Sequence, residues 1–80
     1  MLVKMSVKFK LYGSEGCHLC EDALALCLAV MPEADISVID IIDDEKLLDL
    51  YRISIPVLER LSDQEKLFWP FEQAQILELL

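Results

Sequence analysis

The first half of the chain constrains the fold more than any other part. Val7–Tyr12 alternates apolar and polar side chains with the period of two that a β-strand requires. A helix is predicted from Cys17 or His18 to Val30, and its apolar residues cover most of its circumference, which is typical of a helix buried on more than one side. Ile36–Ile41 alternates again, with apolar residues on both faces, so we expect both faces to be covered. Strand, helix and strand predict a right-handed βαβ unit.

The second half of the chain predicts shorter elements, separated by acidic and proline-containing turns. These are a short helix that Asp43 or Asp44 caps and that ends at Leu50 or Tyr51, a strand Ile55–Leu58, a hairpin turn Leu61–Gln64, a strand Lys66–Phe68 and a helix Phe71–Leu80 with Pro70 in its first turn. The inward face of the last helix is expected to hold Phe71, Ala74 and Leu77, with Ile76 and Leu80 as further candidates. The order β-α-β-α-β-β-α predicts an α/β fold, a four-stranded mixed sheet flanked by helices.

Length and charge limit the classes of function. The chain has 80 residues, enough for one domain, 1–80. Its net charge of -8 argues against nucleic acid and anionic membranes as partners, and favours a partner with a basic surface. The longest apolar run, Ala23–Met31, is too short to span a bilayer, and Met1–Lys10 lacks the apolar stretch of a secretory signal. We therefore expect a cytoplasmic protein.

A Cys-x-x-Cys motif, Cys17-His18-Leu19-Cys20, lies between the first predicted strand and the first helix. The amide groups and partial positive charge of a helix N-terminus favour the thiolate, which is the nucleophilic form of cysteine. Two intervening residues place Cys20 one helical turn from Cys17, so we expect Cys17 to be the attacking thiol and Cys20 the buried, resolving thiol. Two inert, partly buried cysteines and a metal site are the alternatives.

His18 lies within this motif, and Cys27 follows it on the same predicted helix. A protonated His18 would stabilise the thiolate, so we favour a tuning role for it over proton transfer. Glu15, Glu21 and Asp22 act in the opposite direction, because nearby negative charge raises the pKa of a thiol. Cys27 lies two turns beyond Cys20, too far for a disulfide within a straight helix, and is expected to be a core residue.

Two further segments are candidates for binding. Pro56 opens a predicted strand, where its peptide bond is either cis or an ordinary trans bond. Trp69-Pro70-Phe71 precedes the last helix, and its aromatic rings are either core residues or a partner-binding patch.

Taken together, these residues resemble the glutaredoxin and thioredoxin superfamily. Val7–Tyr12 followed by Gly16-Cys17-His18-Leu19-Cys20 and Ala23 is similar to the glutaredoxin first strand, active-site turn and helix. Tyr51–Leu58 is similar to the segment that leads to the superfamily's cis-proline. The closest resemblance is to a small glutaredoxin-like group with a Cys-His-Leu-Cys centre and a Trp-Pro-Phe near the last helix.

The resemblance implies a thiol-disulfide oxidoreductase that uses Cys17 as nucleophile and Cys20 as resolver, and His18 is the tuning residue expected from its own chemistry. Ile55 would offer its backbone to a bound cysteine-containing peptide, Pro56 would pack against the disulfide, and Trp69 is the third candidate substrate-binding residue. The expected partner is a thiol or a disulfide-bearing protein, and the expected state is a monomer without metal. A binding or adaptor domain without turnover is the alternative function.

Glutathione is the one cofactor that the resemblance suggests, but its usual binding residues are missing. The family's lysine shortly before the first cysteine is replaced by Ser14 and Glu15. The family's Gly-Gly and acidic cap before the last helix correspond here to 68–72, where Pro70 removes an amide donor. Glu15 and Glu72 would repel the carboxylates of the tripeptide. We therefore expect no cofactor, and a protein or another thiol as substrate.

Overall fold

The computed structural model describes residues 7–80 and contains every strand and helix that the sequence predicts. Residues 1–6, which carry part of the argument against a secretory signal, lie outside the described residues. The strands are β1 Phe9–Gly13, β2 Ile36–Asp40, β3 Val57–Arg60 and β4 Glu65–Phe68, and the helices are α1 His18–Leu28, α2 Glu45–Tyr51 and α3 Gln73–Leu79. Two short 3-10 turns that the sequence does not predict, Glu33–Asp35 and Ile41–Asp43, flank β2.

The four strands form one mixed sheet in the order β2-β1-β3-β4. β1 pairs in parallel with β2 and antiparallel with β3, and β3 pairs antiparallel with β4. The predicted α/β fold with a four-stranded mixed sheet is therefore confirmed. Within residues 7–80, no helix is both long enough and apolar enough to cross a bilayer.

The strand register aligns four chain segments at one end of the sheet. Gly13 at the end of β1 pairs with Asp40 at the end of β2. Tyr12 pairs with Val57, so one further step along the ladder places Pro56 beside Gly13. The amide of Trp69 donates to the carbonyl of Pro56 at 3.2 Å and continues this row past β3. One row of residues across the sheet, at the end where α1 begins, thus contains Asp40, Gly13, Pro56 and Trp69.

Apolar side chains cover both faces of the sheet, as the predicted alternation requires. The larger core lies on the face of α1 and α3 and contains Phe9, Leu11, Ala23, Cys27, Met31, Ile36, Leu58, Phe71, Ile76 and Leu79. The smaller core lies on the face of α2 and contains Tyr12, Ile41, Tyr51 and Val57. Because successive residues of β1 point to opposite faces, Leu11 and Tyr12 belong to different cores.

The prediction that both faces of the second strand are covered is wrong at Val38. β2 is an edge strand, and Val38 on the face of α1 is 57% exposed. The reason is a gap between α1 and the edge of the sheet, which opens as a cavity lined by Leu24 and Val38.

The last helix begins two residues later than predicted. Pro70 lies in a turn with a cis peptide bond to Trp69, and Glu72 is the N-cap of α3. Phe71 is buried but lies outside the helix, so counting a helical period from it selects the wrong face. Ala74, Leu77 and Leu80 are exposed, whereas the buried helical residues are Ile76 and Leu79.

The other element boundaries differ from prediction by one or two residues. α1 ends at Leu28 rather than at Val30, and β4 begins one residue early at Glu65. β3 covers Val57–Arg60 rather than Ile55–Leu58, because the strand starts only after Pro56, which has no amide hydrogen for the ladder.

Candidate functional site

Cys17 and Cys20 form a disulfide at the start of α1. Their Cα atoms are 5.2 Å apart, within the range that a disulfide spans. Cys17 is the N-cap of the helix, and Cys20 lies in the first turn, so helical geometry brings the two sulfur atoms together. Two of the predicted site residues are therefore in direct contact.

The turn before α1 presents Cys17 to the end of the helix. Gly16 has a φ of 83°, a left-handed conformation that glycine adopts without strain. The amide of Cys17 donates to the carbonyl of Ser14 at 3.2 Å and closes the turn. The sulfur of Cys17 in turn accepts the amide hydrogen of Cys20 at 3.1 Å. An amide donor and the positive end of the helix both favour a negative charge at Cys17 once the disulfide is reduced.

Gly13 sets the position of the second cysteine, a role that the sequence analysis missed. A Cβ atom at Gly13 would lie 2.9 Å from the Cys20 sulfur and 3.1 Å from the Cys20 Cβ. Both contacts are closer than normal packing, so this place in β1 requires a residue without a side chain. Glycine after an alternating strand is a typical turn signal, and nothing in the sequence separates that role from the contact with Cys20.

Cys20 is half-buried rather than buried, as is Cys17. The expected burial of the resolving cysteine is therefore wrong in degree, because the cavity beside Val38 also reaches the disulfide. His18 is the first residue of α1 and is exposed. The expected tuning role of His18 would therefore act through the charge of its ring on the Cys17 thiolate, from the first turn of α1.

Cys27 is fully buried in the larger core and takes no part in the disulfide. Burial raises the pKa of its thiol to about 11, because a thiolate is poorly solvated there. The interpretation of Cys27 as a core residue is confirmed.

The structure brings the other two predicted segments to the same end of the sheet. The Ile55–Pro56 peptide bond is cis, and Pro56 is buried. The amide of half-buried Ile55 donates to the carbonyl of Tyr51 at 3.1 Å. Trp69 is half-buried and packs edge-to-face on Phe71 with ring centroids 5.1 Å apart. Phe71 is therefore a core residue, and Trp69 has one side in the core and one side accessible.

Exposed apolar side chains belong to the segments that meet at this end of the sheet. Ile53, in the loop before Pro56, is 94% exposed, and Leu19 within the Cys-x-x-Cys motif is about half-exposed. Phe68, at the end of β4 beside Trp69, is also exposed. Full exposure of an isoleucine is a signal that sequence patterning does not give, because Ile53 lies outside any periodic element.

A cavity of about 300 Å³ opens against the disulfide on the side of β2. Besides both cysteines, its wall contains apolar residues and carboxylates: Leu11, Leu24, Val38, Glu15, Glu21 and Asp40. A larger cavity of about 630 Å³ lies at the other end of β1, around Phe9 and Arg60, and none of the three cysteines lines it. Among residues 7–80, no three His, Cys, Asp or Glu side chains converge as metal ligands do.

A buried polar network supports the sheet from the face of α2. The Tyr12 hydroxyl donates to Glu59 Oε1 at 2.6 Å, and Lys66 Nζ lies 3.7 Å from Glu59 Oε2. Burial, followed by the bond to Glu59, raises the pKa of Tyr12 well above its usual value. Tyr12 also stacks on Tyr51, with ring centroids 4.9 Å apart. This network links β1 to β3 beside Gly13, the residue that follows Tyr12.

Comparison with known families gives one match over most of the chain. Residues 8–80 match the family described as Glutaredoxin-like domain (DUF836). No curated protein matches the sequence.

The solved structures that are similar to this one include those of three proteins. Protein Ne2328 from Nitrosomonas europaea is 30% identical, with a TM-score of 0.77 over 100% of this chain and 99% of that one. Protein XcR50 from X. campestris is 31% identical, with a TM-score of 0.67 over 85% and 88% of the two chains. Thioredoxin 1 from Thermosipho africanus is 16% identical, with a TM-score of 0.67 over 91% and 89%, and this likeness shows a thioredoxin-like fold.

Proposed function

Because the chain belongs to the glutaredoxin-like domain family, we propose that it is a thiol-disulfide oxidoreductase whose redox centre is the Cys17–Cys20 pair. The observation that carries this proposal is the disulfide-bonded pair at the N-terminus of α1. A purely structural role is less favoured, because a disulfide between residues so close in the chain closes a very short loop. Closing a short loop removes little entropy from the unfolded chain, so it stabilises the fold only a little.

The proposed reaction is a two-step exchange. In the reduced protein, the Cys17 thiolate attacks one sulfur of a substrate disulfide, forms a mixed disulfide and releases the first substrate thiolate. The Cys20 thiolate then attacks the sulfur of Cys17, re-forms the Cys17–Cys20 bond and releases the second substrate thiolate. Two electrons pass from the protein dithiol to the substrate disulfide, and the reverse sequence oxidises two substrate thiols.

Substrate would lie across the row that contains Gly13 and Pro56. The Ile55 amide already donates to Tyr51, so the Ile55 carbonyl is the backbone group that a substrate peptide meets without breaking that bond. Pro56 forms part of the surface under the substrate peptide, and the accessible side of Trp69 offers an apolar contact next to Pro56. The exposed side chains of Ile53 and Leu19 favour a polypeptide over a small thiol as partner.

Glutathione is a poor fit to the residues at this end of the sheet. Glu15 lines the cavity at the disulfide, where its charge opposes the carboxylates of glutathione. The amide of Glu72 at the start of α3 donates to the side-chain oxygen of Gln75 at 2.8 Å, so this donor is already occupied. We therefore propose a protein thiol or disulfide as substrate, without a cofactor, and a monomer acting in a reducing compartment.

Trapping of the mixed disulfide tests the proposed reaction. A Cys20→Ser variant lacks the resolving thiol, so it should accumulate a covalent adduct through Cys17 when it is mixed with a peptide disulfide. Cys17→Ser should form no such adduct, and Cys27→Ser should behave like the unmodified protein. Mass spectrometry of the intact protein measures all three. An adduct that forms equally with Cys17→Ser would refute the assigned roles.

A binding domain without turnover is the second candidate function. The carboxylates of Glu15, Glu21 and Asp40 around the disulfide favour it, because negative charge raises the pKa of a nearby thiol and lowers its reactivity. This alternative predicts that Cys20→Ser accumulates adduct no faster than a free cysteine peptide does.

A further inference from the structure

Apolar and acidic residues together line the cavity beside the disulfide. Its apolar wall consists of Leu11, Leu24 and Val38, and three carboxylates belong to the same wall, those of Glu15, Glu21 and Asp40. None of the described residues that line it is basic. The cavity therefore combines an apolar surface with a local charge of opposite sign to Lys or Arg.

The carboxylates of the cavity are not neutralised by the ion pairs of the fold. Among residues 7–80 these pairs are Lys8–Asp35, Arg60–Asp63 and Lys66–Glu59, and none of their members lines the cavity. Asp40 Oδ1 accepts the amide hydrogen of Ile42 at 2.9 Å, which fixes this carboxylate at the end of β2. A cationic group from outside the chain is thus the complementary partner of the cavity.

From this charge complementarity we infer that the substrate is a polypeptide with Lys or Arg beside its reactive cysteine, and that this basic side chain enters the cavity. A long basic side chain fits the two parts of the wall, because its aliphatic stem packs on apolar surface while its charged end remains near carboxylates. The volume of about 300 Å³ is at the low end for ligand pockets, which suits one side chain. The inference rests on the proposed function, since the cavity selects the substrate of the Cys17–Cys20 exchange.

The position of the cavity supports selection at the moment of exchange. Cys17 and Cys20 both belong to its wall, so a side chain in the cavity lies next to the sulfur atoms that react. Pro56 lies across Gly13 from Asp40 in the sheet, so a peptide held there has the cavity on its other side. Opposite charge near the reacting atoms raises the rate of productive encounter, and this increase in rate becomes smaller at high salt.

Three peptide disulfides of equal length test the inference. The residues that flank their cysteine are Lys, Gln or Glu, and each peptide oxidises the reduced protein under pseudo-first-order conditions. Acid quenching and alkylation mass shifts give the rate constants. Each rate constant is divided by that of the same peptide with dithiothreitol, which removes the intrinsic reactivity of the peptide. The Lys peptide should then react roughly tenfold faster than the Glu peptide at low ionic strength.

Two neighbouring acids of α1 provide a matched pair of variants. Glu21 lines the cavity and Asp22 does not, although both are exposed and each substitution removes one negative charge. Glu21→Gln should reduce the Lys-to-Gln rate ratio by roughly fourfold, the effect of one unit charge at about 5 Å in water. Asp22→Asn should leave the ratio close to its original value.

Two results would overturn the inference while the proposed function stands. One is a normalised Lys-to-Glu rate ratio near one, while the Gln peptide still oxidises the dithiol. The other is an equal loss of preference in Glu21→Gln and Asp22→Asn, which would show that only net charge matters. Failure of all three peptides to oxidise the dithiol would instead refute the proposed function, and the inference with it.

Discussion

The two flanks of the disulfide differ in packing and in charge, although Gly13 lies between them in a single row of the sheet. On one flank, Pro56 is buried and bonded through its carbonyl to the amide of Trp69. On the other flank, Asp40 ends an edge strand, and a cavity with three carboxylates opens beside it. The first flank offers backbone and apolar contacts, which any peptide can use, and the second offers charge, which distinguishes one peptide from another.

The difference follows from the order of the strands. β3 has neighbours on both sides, and the Tyr12–Glu59 bond and the Tyr12–Tyr51 stack support it. β2 has a neighbour only on the side of β1, so α1 leaves Val38 exposed and the cavity unfilled. We call the flank at Pro56 the closed flank and the flank at Asp40 the open flank. Separate substitutions can therefore alter the two flanks independently.

Gly13→Ala should have the largest effect, because it changes the residue between the two flanks. The new Cβ would lie 2.9 Å from the Cys20 sulfur and displace it. Overpacking of this kind costs about 1–3 kcal/mol, and more in the oxidised protein, where the disulfide prevents Cys20 from changing rotamer. Urea unfolding of the oxidised and reduced forms measures the difference.

Gly16→Ala is the control for that comparison. Its Cβ would meet no atom within 4 Å, but its φ of 83° strains any residue other than glycine. The expected cost is about 1 kcal/mol and equal in the two redox states. Equal costs in the two redox states for Gly13→Ala as well would contradict the role assigned to Gly13.

Tyr12→Phe tests the support of the closed flank. Loss of the hydroxyl removes the 2.6 Å bond and leaves buried Glu59 with Lys66 as its remaining partner. A buried acceptor that loses a partner costs about 1–2 kcal/mol of unfolding free energy. Tyr51→Phe, which keeps the stacked ring and the Tyr12–Glu59 bond, should cost clearly less in the same thermal or urea unfolding experiment. Equal losses would show that the Glu59 bond is not what supports this flank.

Ionisation of buried Cys27 should have no effect on stability at neutral pH and should lower it only at alkaline pH. Burial raises the pKa of its thiol from 9.0 to about 11, so the folded state holds this proton more tightly than the unfolded state does. Its contribution to stability is complete below pH 9 and decreases as the pH rises toward 11, with a slope of at most about 1.4 kcal/mol per pH unit. Urea unfolding of reduced protein from pH 8 to 10.5 should show a flatter decline for Cys27→Ala. Identical declines would indicate that other groups, Tyr12 foremost, carry the alkaline loss.

The order of elements was predictable because it depends on local patterns. Alternation in Val7–Tyr12 and Ile36–Ile41, the long apolar helix between them and the turn at Leu61–Gln64 are all visible within a few residues. The sequence predicts α3 two residues too early, because Pro70 is typical of a first helical turn, whereas in the structure both Pro70 and Phe71 precede the helix. Exposure of Val38 depends on which strand lies at the edge, which no local pattern contains.

The cysteine pair of the site was predictable, but its surroundings were not. Cys17 and Cys20 follow from their spacing and from their place between a strand and a helix. The contact of Gly13 with Cys20 depends on how closely α1 packs on β1. Asp40 joins Glu15 and Glu21 at the cavity only because β2 returns beside β1, some distance along the chain. The structure therefore adds the asymmetry of the site, on which the proposed selection depends.

The reduction potential of the Cys17–Cys20 couple tests the central claim most directly. Equilibration in glutathione buffers, followed by acid quenching and alkylation mass shifts, measures the fraction of disulfide at each potential. The account predicts a reversible two-electron transition at about -200 to -230 mV, the range of glutaredoxins, that is abolished by Cys17→Ser and retained in Cys27→Ser. If no intramolecular disulfide forms or breaks across the buffer range, the pair is not a redox centre and the claim is wrong.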